Sequence, residues 1–283
     1  MTMDMAYGIT VVHHGSFFRG YFMSHSNDGT MNVDTIYGSL EAIPVFDNIH
    51  ALRNNELILD TPVFVKGHSS ELDLGGGLYH PQPNDHMSTD DDGLIIVDKS
   101  KSRWVFSGFT INEESDLDIL QLRAIFPGEL ILFPEVYGAD GKGEKDDTDA
   151  FIKLFKTINL MGSGILYIRN KYLLEKEPID LPENITIVSH GLDSDILDKI
   201  TNPKNSYIQI ESYLKEKPQI ILGSEVFLKA HQILSIDNLI MTRKGYCHDR
   251  DYNTSANVEP IQLQENTQYR FSNLYKIGFS QKK

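Results

Sequence analysis

The chain has 283 residues, of which 40% are hydrophobic and 10% aromatic, and this composition is typical of folded proteins and not of disordered ones. Its length is sufficient for two domains with separate hydrophobic cores. Acidic residues outnumber basic ones by 40 to 26, which gives a formal net charge of -14. Nucleic acids and anionic membrane surfaces are therefore not expected as partners, because their charge would repel such a chain.

Cysteine content and hydropathy set further limits. Cys247 is the only cysteine in the sequence, so no disulfide can form within the chain. No apolar run reaches the length of a membrane span, and residues 1–31 lack a basic region followed by an apolar core. We therefore expect no membrane insertion and no export by the general secretory route. The run Gly75-Gly76-Gly77 lacks the Lys-Ser/Thr pair of a nucleotide-binding loop, and no cofactor is predicted.

The first 38 residues show no clear hydrophobic periodicity. They contain the pair His13-His14, scattered methionines and a turn signal from Ser24 to Gly29. We predict a partly ordered segment over residues 1–38 and assign no chemistry to it.

Residues 39–110 have the pattern of a small β-rich domain. The predicted elements are a short capped helix at 47–53 and strand-like runs at 62–68, 73–80, 92–98 and 103–105. Trp104 is interpreted as a core anchor, and the alternative is an exposed ring that stacks on a sugar and so binds substrate. The acidic stretch from His80 to Asp92 could hold a hard cation, but it lacks EF-hand spacing. A polar hairpin loop is therefore favoured there, and no metal site is predicted.

A short acidic helix is predicted over residues 112–123, and Pro127-Gly128 would end this segment. Its apolar residues form a narrow stripe that includes Leu117 and Leu120. The stripe would pack against the following domain or pair with its symmetry mates in an oligomeric neck. We assign residues 111–135 to this helical neck or linker.

A glycine-punctuated loop follows and runs into an amphipathic helix with Phe151 and Phe155 on its apolar face. The loop glycines suit tight turns with positive φ; they are Gly138, Gly141 and Gly143. Polar residues at the end of the loop are predicted to cap the helix; they are Asp146, Asp147 and Thr148. With Asp149 these carboxylates could be mistaken for a catalytic pair, but their position at a helix start favours capping and stabilisation by the helix dipole.

Short strand-like runs occupy the rest of the chain. After the stop Gly162-Ser163-Gly164 they fall at 165–168, 172–174, 177–182 and 184–188, and after an acidic loop or short helix at 191–205 they return at 207–210, 219–223, 226–228, 239–241, 258–263 and 269–271. A spacing of roughly ten residues in the later part suits short stacked strands.

A charged group at residues 248–251 is the best catalytic candidate in the sequence. Asp249 and Asp251, with His248, could abstract a proton or hydrolyse a glycosidic bond, and Arg250 could bind an acidic sugar. A solvated turn is the favoured interpretation of the same residues.

The order of glycine-rich loop, capped helix, glycine stop and short strands resembles the start of the pectate-lyase-like right-handed β-helix, a fold shared by many phage tail spikes, polysaccharide lyases and hydrolases. Residues 39–110, with their Gly-rich turn, Asp92-Gly93 and Arg103-Trp104, are similar to the small module that precedes this β-helix in many tail spikes. Two departures are that Lys142 stands where the family usually has an aspartate, and that Arg169-Asn170-Lys171 replaces a Pro-Pro-Gly turn. The two resemblances cover roughly residues 39–190.

The resemblance implies a mainly β protein with four parts: an attachment segment at 1–38, a β-rich adaptor or head-binding-like domain at 39–110, the neck at 111–135, and the N-terminal part of a right-handed parallel β-helix at 136–283, closed by a short α-helix. It implies a homotrimer that docks on the virion baseplate or other tail proteins. It also implies a location on the phage tail, outside the host cell at its surface, and bacterial surface polysaccharide as a partner.

Three functional hypotheses follow. Enzymatic tail spikes carry their catalytic carboxylates on middle coils or between subunits, and only roughly five or six coils fit after Val136, so the chain resembles the attachment end of a tail spike that is cut short. The second hypothesis is a depolymerase, a lyase or glycoside hydrolase, that acts on capsule or O-antigen. The third is a bacterial or prophage-borne β-helix protein unrelated to virions. Enzymatic activity is left open.

Overall fold

The computed structural model describes residues 7–14, 17–25, 31–39, 43–56, 60–70, 73–108, 110–111, 130–176, 178–192, 194–202, 204–205, 212–214, 216–244 and 259–277. For residues before 43, and for 108, 110, 111, 194 and 277, it describes the backbone alone. The chain divides into two compact units, one of Met1–Glu129 with Val136–Gly138 and one of Leu130–Glu135 with Ala139–Lys283. No helix in the described residues is long and apolar enough to cross a membrane.

Within the described residues, the first unit contains two sheets and a short helix. Its elements are β1 (Tyr7–His14), β2 (Phe17–His25), β3 (Met31–Ser39), β4 (Val45–Phe46), α1 (Ile49–Arg53), β5 (Val63–Val65), β6 (Gly77–Pro81), β7 (Ile95–Val97), β8 (Arg103–Gly108) and β9 (Thr110–Ile111). One sheet has the strand order β3-β2-β1-β9 and the other β4-β5-β6-β8-β7.

Strands β1 to β3 form an antiparallel meander in the region where sequence analysis finds no periodicity. The segment predicted to be only partly ordered thus contains regular strands. A usable signal was the Asp28-Gly29 dipeptide between two runs rich in aromatic and β-branched residues, which is a hairpin signature. It was missed because neither run alternates cleanly between apolar and polar residues.

The second sheet packs with α1 around a small hydrophobic core. The core residues are Ile49, Leu52, Val63, Val65, Tyr79, Ile96 and Trp104. The helix starts at Ile49, two residues later than predicted, because the Asn48 side chain accepts a hydrogen bond from the Ala51 N–H at 2.8 Å and so caps it.

The second unit is a parallel β-helix with five strands in each of its first two sheets. Its elements are β10 (Ile131–Leu132), a 3-10 helix (Pro134–Tyr137, of which Val136 and Tyr137 fall in the first unit), β11 (Lys142–Asp146), α2 (Thr148–Met161), β12 (Gly164–Ile168), β13 (Lys171–Leu174), β14 (Ile179–Asp180), β15 (Asn184–Ser189), α3 (Ser194–Thr201), β16 (Gln219–Leu222), β17 (Leu228–Ala230), β18 (Ile233–Asp237), β19 (Ile240–Arg243), β20 (Ile261–Leu263), β21 (Gln268–Ser272) and β22 (Tyr275–Ile277).

The first sheet has the strand order β10-β12-β15-β18-β21, the second β11-β13-β16-β19-β22 and the third β14-β17-β20. Successive turns of the chain therefore pass through the three sheets in the same order. In the first turn α2 occupies the chain position of a third-sheet strand. The ring centroid of its buried Phe151 lies 5.3 Å from that of Tyr172. The predicted fold class, a small β-rich domain and then β-helix coils with a short helix at their start, is confirmed.

From β12 onward, equivalent positions stack in register along the β-helix, whereas the pairing of β11 with β13 contains a register shift. Ile165 pairs with Thr186, Thr186 with Ser235, and Ser235 with Arg270. The number of residues per turn varies, because corner loops of different length join the strands. One of these loops carries α3, in the region predicted as a loop or short helix. The predicted elements at 112–123 and 207–210 lie outside the described residues.

A buried carboxylate holds the turn at Arg169-Asn170-Lys171. Glu135 is completely buried, and its Oε1 accepts hydrogen bonds from Arg169 Nε at 3.1 Å, from the Tyr172 hydroxyl at 2.6 Å and from Asn170 Nδ2. Prolines at this turn could not supply these donors, so here the turn is held by a polar cluster.

Candidate functional site at one corner of the β-helix

Polar residues stack at the corner where three successive turns leave the second sheet. At this corner lies a cavity of about 320 Å³ that is open to solvent and lined by Glu175, Gly223, Ser224, Glu225, Val226 and Lys244. Glu175 directly follows β13, Gly223 follows β16 and Lys244 follows β19. We call this set of residues the corner cavity.

The charged groups of the corner cavity are accessible to solvent. Lys244 Nζ lies 2.5 Å from Glu175 Oε1, with exposed side-chain fractions of 50% and 39%. Glu225 and Ser224 are also exposed. Two carboxylates, an ammonium and a hydroxyl on rigid backbone can donate and accept several hydrogen bonds, as recognition of a sugar requires.

The floor of the corner cavity is held by a buried guanidinium. Arg243 is 7% exposed, and its Nη1 donates to the carbonyls of Ser224 and Val226 at 3.0 Å each and to that of Gly223. Burial lowers the pKa of Arg243. A Cβ at Gly223 would lie 3.3 Å from Glu175 Cα, so the glycine lets this turn approach the preceding one closely.

The corner cavity is not apparent from the sequence, although a signal exists. The strands β13, β16 and β19 are each followed directly by a polar or glycine residue at which a corner begins. These corner residues are far apart in the sequence and share no motif. Their proximity follows from the pairing register alone.

The catalytic candidates Asp249, Asp251 and His248 and the substrate-binding candidate Arg250 lie outside the described residues, and their roles stay predictions. The described chain stops at Lys244 and resumes at Glu259. Pro260 then accepts a hydrogen bond from the Leu228 N–H at 2.9 Å, which brings the chain into the third sheet. The cavity-lining Lys244 is thus the last described residue before the segment that contains these candidates.

The predicted cap residues have divided roles. Asp146 Oδ1 accepts hydrogen bonds from the Thr148 N–H at 3.0 Å and the Glu175 N–H at 3.1 Å. Although burial opposes the shift, the bonds from Thr148 and Glu175 lower the pKa of Asp146. Thr148 Oγ1 accepts from the Glu175 N–H at 3.0 Å and thus ties the helix start to the next turn.

Asp147 occupies the N-cap position but accepts no hydrogen bond from the helix. Its Oδ1 accepts instead from the Asp140 N–H at 2.6 Å, and the buried Oδ2 has no partner among the described residues. Burial raises the pKa of Asp147 to about 6. For this residue the capping prediction is wrong, because its carboxylate closes the preceding loop.

Trp104 is completely buried, and its Nε1 donates to Asp98 Oδ2 at 3.0 Å. The ring has no free face for a sugar, so the substrate-binding alternative is wrong and Trp104 is a core residue. In the acidic stretch before it, Arg53 Nη2 lies 2.5 Å from Asp90 Oδ1 and 2.6 Å from Asp92 Oδ1, so these carboxylates hold the hairpin loop together.

Comparison with known families gives one match. Residues 45–106, which contain β4 to β7, α1 and most of β8, match the family described as phage tail protein small four-stranded beta-sheet domain. No curated protein matches the chain.

Several solved structures are similar to the chain at low identity. The tailspike protein of Acinetobacter baumannii phage AM24 is 15% identical, with 83% of this chain and 33% of that protein covered and a TM-score of 0.43. The tailspike of Acinetobacter phage vB_ApiP_P1 is 10% identical, with 82% of this chain and 34% of that protein covered and a TM-score of 0.46. Tailspike gp49 of Acinetobacter baumannii bacteriophage Fri1, a capsular polysaccharide depolymerase, is 11% identical, with 82% of this chain and 42% of that protein covered and a TM-score of 0.41. The chain thus spans 33% to 42% of the length of these proteins.

Proposed function

We propose, from the premise that residues 45–106 carry the small β-sheet domain of phage tail proteins, that the chain is the virion-proximal part of a phage tail spike. In this proposal the first unit docks on the baseplate or another tail protein, and the β-helix contacts polysaccharide on the bacterial surface. The observation that carries the proposal is the order along one chain of a phage-tail domain and a parallel β-helix.

The proposal includes a location on the virion tail and assembly as a homotrimer. The location is supported by the phage-tail domain. The trimer rests on resemblance to the tail-spike family. Antibodies against the chain should label the tails of intact particles, and light scattering of the purified protein should give three times the chain mass. Particles that carry no label would overturn the assignment to the virion.

The corner cavity is proposed as a glycan contact. Its lining supports this because hydroxyl groups can pair with the carboxylates of Glu175 and Glu225 and with the ammonium of Lys244. The lining carries one more negative than positive charge, which disfavours polyanionic sugars and favours neutral or amino sugars.

Binding of the purified protein to bacterial surface polysaccharides tests this contact. Glu225→Gln should weaken binding about tenfold or more if its carboxylate accepts a sugar hydroxyl, since a hydrogen bond to a charged group contributes about 1.5–3 kcal/mol. Glu183→Gln is the matched control, because Glu183 is an exposed carboxylate at a different corner. Equal binding by the unmodified protein and both variants would show that the corner cavity does not bind glycan. The proposal that the first unit docks on the tail would not be affected.

Depolymerase activity is the second candidate function. It is favoured by the two carboxylates that line one cavity, since glycosidic hydrolysis uses such a pair. Release of reducing ends or unsaturated sugars from capsule or O-antigen would establish it. Loss of that release in Asp249→Asn or Asp251→Asn, but not in Glu225→Gln, would assign the chemistry to residues 248–251.

A further inference from the structure

One strand of the third sheet presents an aromatic ring, an ammonium and an imidazole on its outer face. Val226, Leu228 and Ala230 are each 3% exposed or less, so the residues that alternate with them point away from the core. These alternating residues are half-buried, and we call them the outer strip: Phe227, Lys229 and His231. The strip lies along β17, which has β14 on one side and β20 on the other, so neighbouring turns flank it on both sides.

A histidine–aspartate pair lies at one end of the outer strip. His231 Nε2 lies 3.1 Å from Asp180 Oδ1 on the preceding turn. Because an ionised carboxylate can only accept a hydrogen bond, Nε2 carries the hydrogen and Nδ1 keeps a lone pair. Nδ1 has no hydrogen-bond partner among the described residues, and 40% of the His231 side chain is exposed. The pair therefore has the arrangement of a general base that is held by a carboxylate.

The ammonium of the outer strip forms no ion pair within the described residues. Asp180 stands opposite Lys229 in the ladder of β14 and β17, yet its carboxylate binds His231. Lys229 Nζ lies instead 5.8 Å from the centre of the Phe227 ring. Lys229 and His231 are two residues apart on one face of an extended chain, which separates their Cα atoms by about 7 Å. Both side chains can therefore reach the same sugar residue.

The outer strip continues directly from the corner cavity. Val226 lines that cavity, and Phe227 is the next residue of the chain. The two surfaces differ in charge, since the cavity lining carries one more negative than positive charge and the outer strip adds the ammonium of Lys229. A polysaccharide that crosses both would place an acidic sugar over the strip.

We propose that the outer strip catalyses β-elimination in a polysaccharide that contains hexuronic acid. The proposal rests on the proposed glycan contact of the β-helix and names a chemistry for it. Phe227 packs against the sugar ring. Lys229 neutralises the sugar carboxylate, which makes the proton on the adjacent ring carbon more acidic. His231 is the catalytic base, and Asp180 is a positioning residue that acts through it.

The proposed reaction needs only water besides the polysaccharide. His231 Nδ1 takes the proton from the ring carbon that bears the carboxylate. The electron pair of that C–H bond forms a double bond to the next ring carbon, and the bond from this second carbon to the glycosidic oxygen breaks. The leaving oxygen takes a proton from water, and His231 returns its proton to water. The products are an unsaturated uronate and a new free hydroxyl on the other fragment.

Ultraviolet absorbance of the new double bond, which is conjugated with the carboxylate, tests the proposal. The full chain is incubated with polygalacturonate, alginate and hyaluronan and should release unsaturated product from at least one of them. His231→Gln should lower the rate about a hundredfold or more, because it removes the general base. His86→Gln is the matched control, since His86 is exposed in the small domain, and it should leave the rate unchanged.

Steady-state kinetics separate the roles of the other two residues. Lys229→Met should lower kcat/KM about tenfold or more, because the sugar carboxylate loses its charged partner. Lys142→Met, at an exposed lysine on a different sheet, is its control. Asp180→Asn should lower kcat and leave KM unchanged, since Asp180 holds the base and does not touch the sugar. A merely structural role would not produce this split.

Far-UV circular dichroism checks the folding of each variant, and Lys229→Met replaces His231→Gln if the latter does not fold. The absence of unsaturated product from all three polymers overturns the proposal. Release of saturated fragments alone does so too, because it indicates hydrolysis. Unsaturated product that persists in folded His231→Gln places the base elsewhere and also overturns it. In each of these cases labelled virion tails and binding of surface polysaccharide would leave the proposed function standing.

Discussion

Lys244 Nζ lies 2.5 Å from Glu175 Oε1, although the two residues are 69 positions apart in the sequence. The pair bridges two turns of the β-helix across the Gly223–Val226 turn between them. Because both side chains are solvent-exposed, we expect the pair to contribute less than about 1 kcal/mol to the free energy of unfolding. A double-mutant cycle with Glu175→Gln and Lys244→Met, followed by urea unfolding, measures this coupling. A coupling above about 2 kcal/mol would contradict the screened character of the pair.

Arg243 should contribute more to stability than this exposed pair, because its buried guanidinium binds three carbonyls of the Gly223–Val226 turn. Arg243→Met leaves the carbonyls of Gly223, Ser224 and Val226 without their shared donor, and we expect a loss of about 2–4 kcal/mol in unfolding free energy. Lys156→Met, on the exposed face of α2, should change stability by less than about 0.5 kcal/mol. Equal urea midpoints for the two variants would show that the guanidinium is not needed to hold the turn.

Asp147 should make stability depend on pH. Its pKa is about 6 in the folded protein, against 3.8 for an ordinary aspartate, so the folded state binds the proton more tightly. The free energy of unfolding is then expected to fall as pH rises from about 3.8 to 6, by at most about 3 kcal/mol, and to be independent of this group above that range.

Asp147→Asn mimics the protonated carboxyl and should remove this fall, so the variant gains most over the unmodified chain at neutral pH. Urea unfolding at several pH values between 3.5 and 7 measures the difference. Asp149→Asn is the control, because Asp149 is exposed at the same helix start. A pH profile that is unchanged by Asp147→Asn would contradict the raised pKa.

Trp104 gives a spectroscopic test of the small domain, because it is the single tryptophan of the chain. With a fully buried ring, its fluorescence should resist quenching by acrylamide until the domain unfolds. Trp104→Phe loses the bond to Asp98 and part of the core volume, and should destabilise the domain by about 1–3 kcal/mol. Met87→Ala, at a side chain that is 89% exposed, should be neutral. Strong quenching in the native protein would contradict the core assignment.

The fold was predictable where local signals agree with the stacking. Gly162 ends α2 in the left-handed region with φ 87°, as its place after the last apolar turn indicates, and the strands after it follow short apolar runs. The strands within residues 1–38 could not be predicted from the sequence, since their residues do not alternate between apolar and polar.

The corner cavity could not be predicted from the sequence for a different reason. Glu175, Glu225 and Lys244 come together through the parallel register, and no spacing rule predicts a register when corner loops vary in length. Likewise, nothing in the sequence marks Arg243 as a buried residue, because its neighbours in β19 look like an ordinary strand that ends in a charge.

The in-register stacking of the turns from β12 onward separates distance along the sequence from distance along the axis of the β-helix. Each turn advances by one strand spacing, about 4.8 Å, whether it is short, as from Ile165 to Thr186, or long, as from Thr186 to Ser235. A longer corner loop therefore reaches further sideways and leaves the height of every later turn unchanged. Such loops can be lengthened, shortened or exchanged while the scaffold keeps its pitch, which suits a surface that must follow a changing partner.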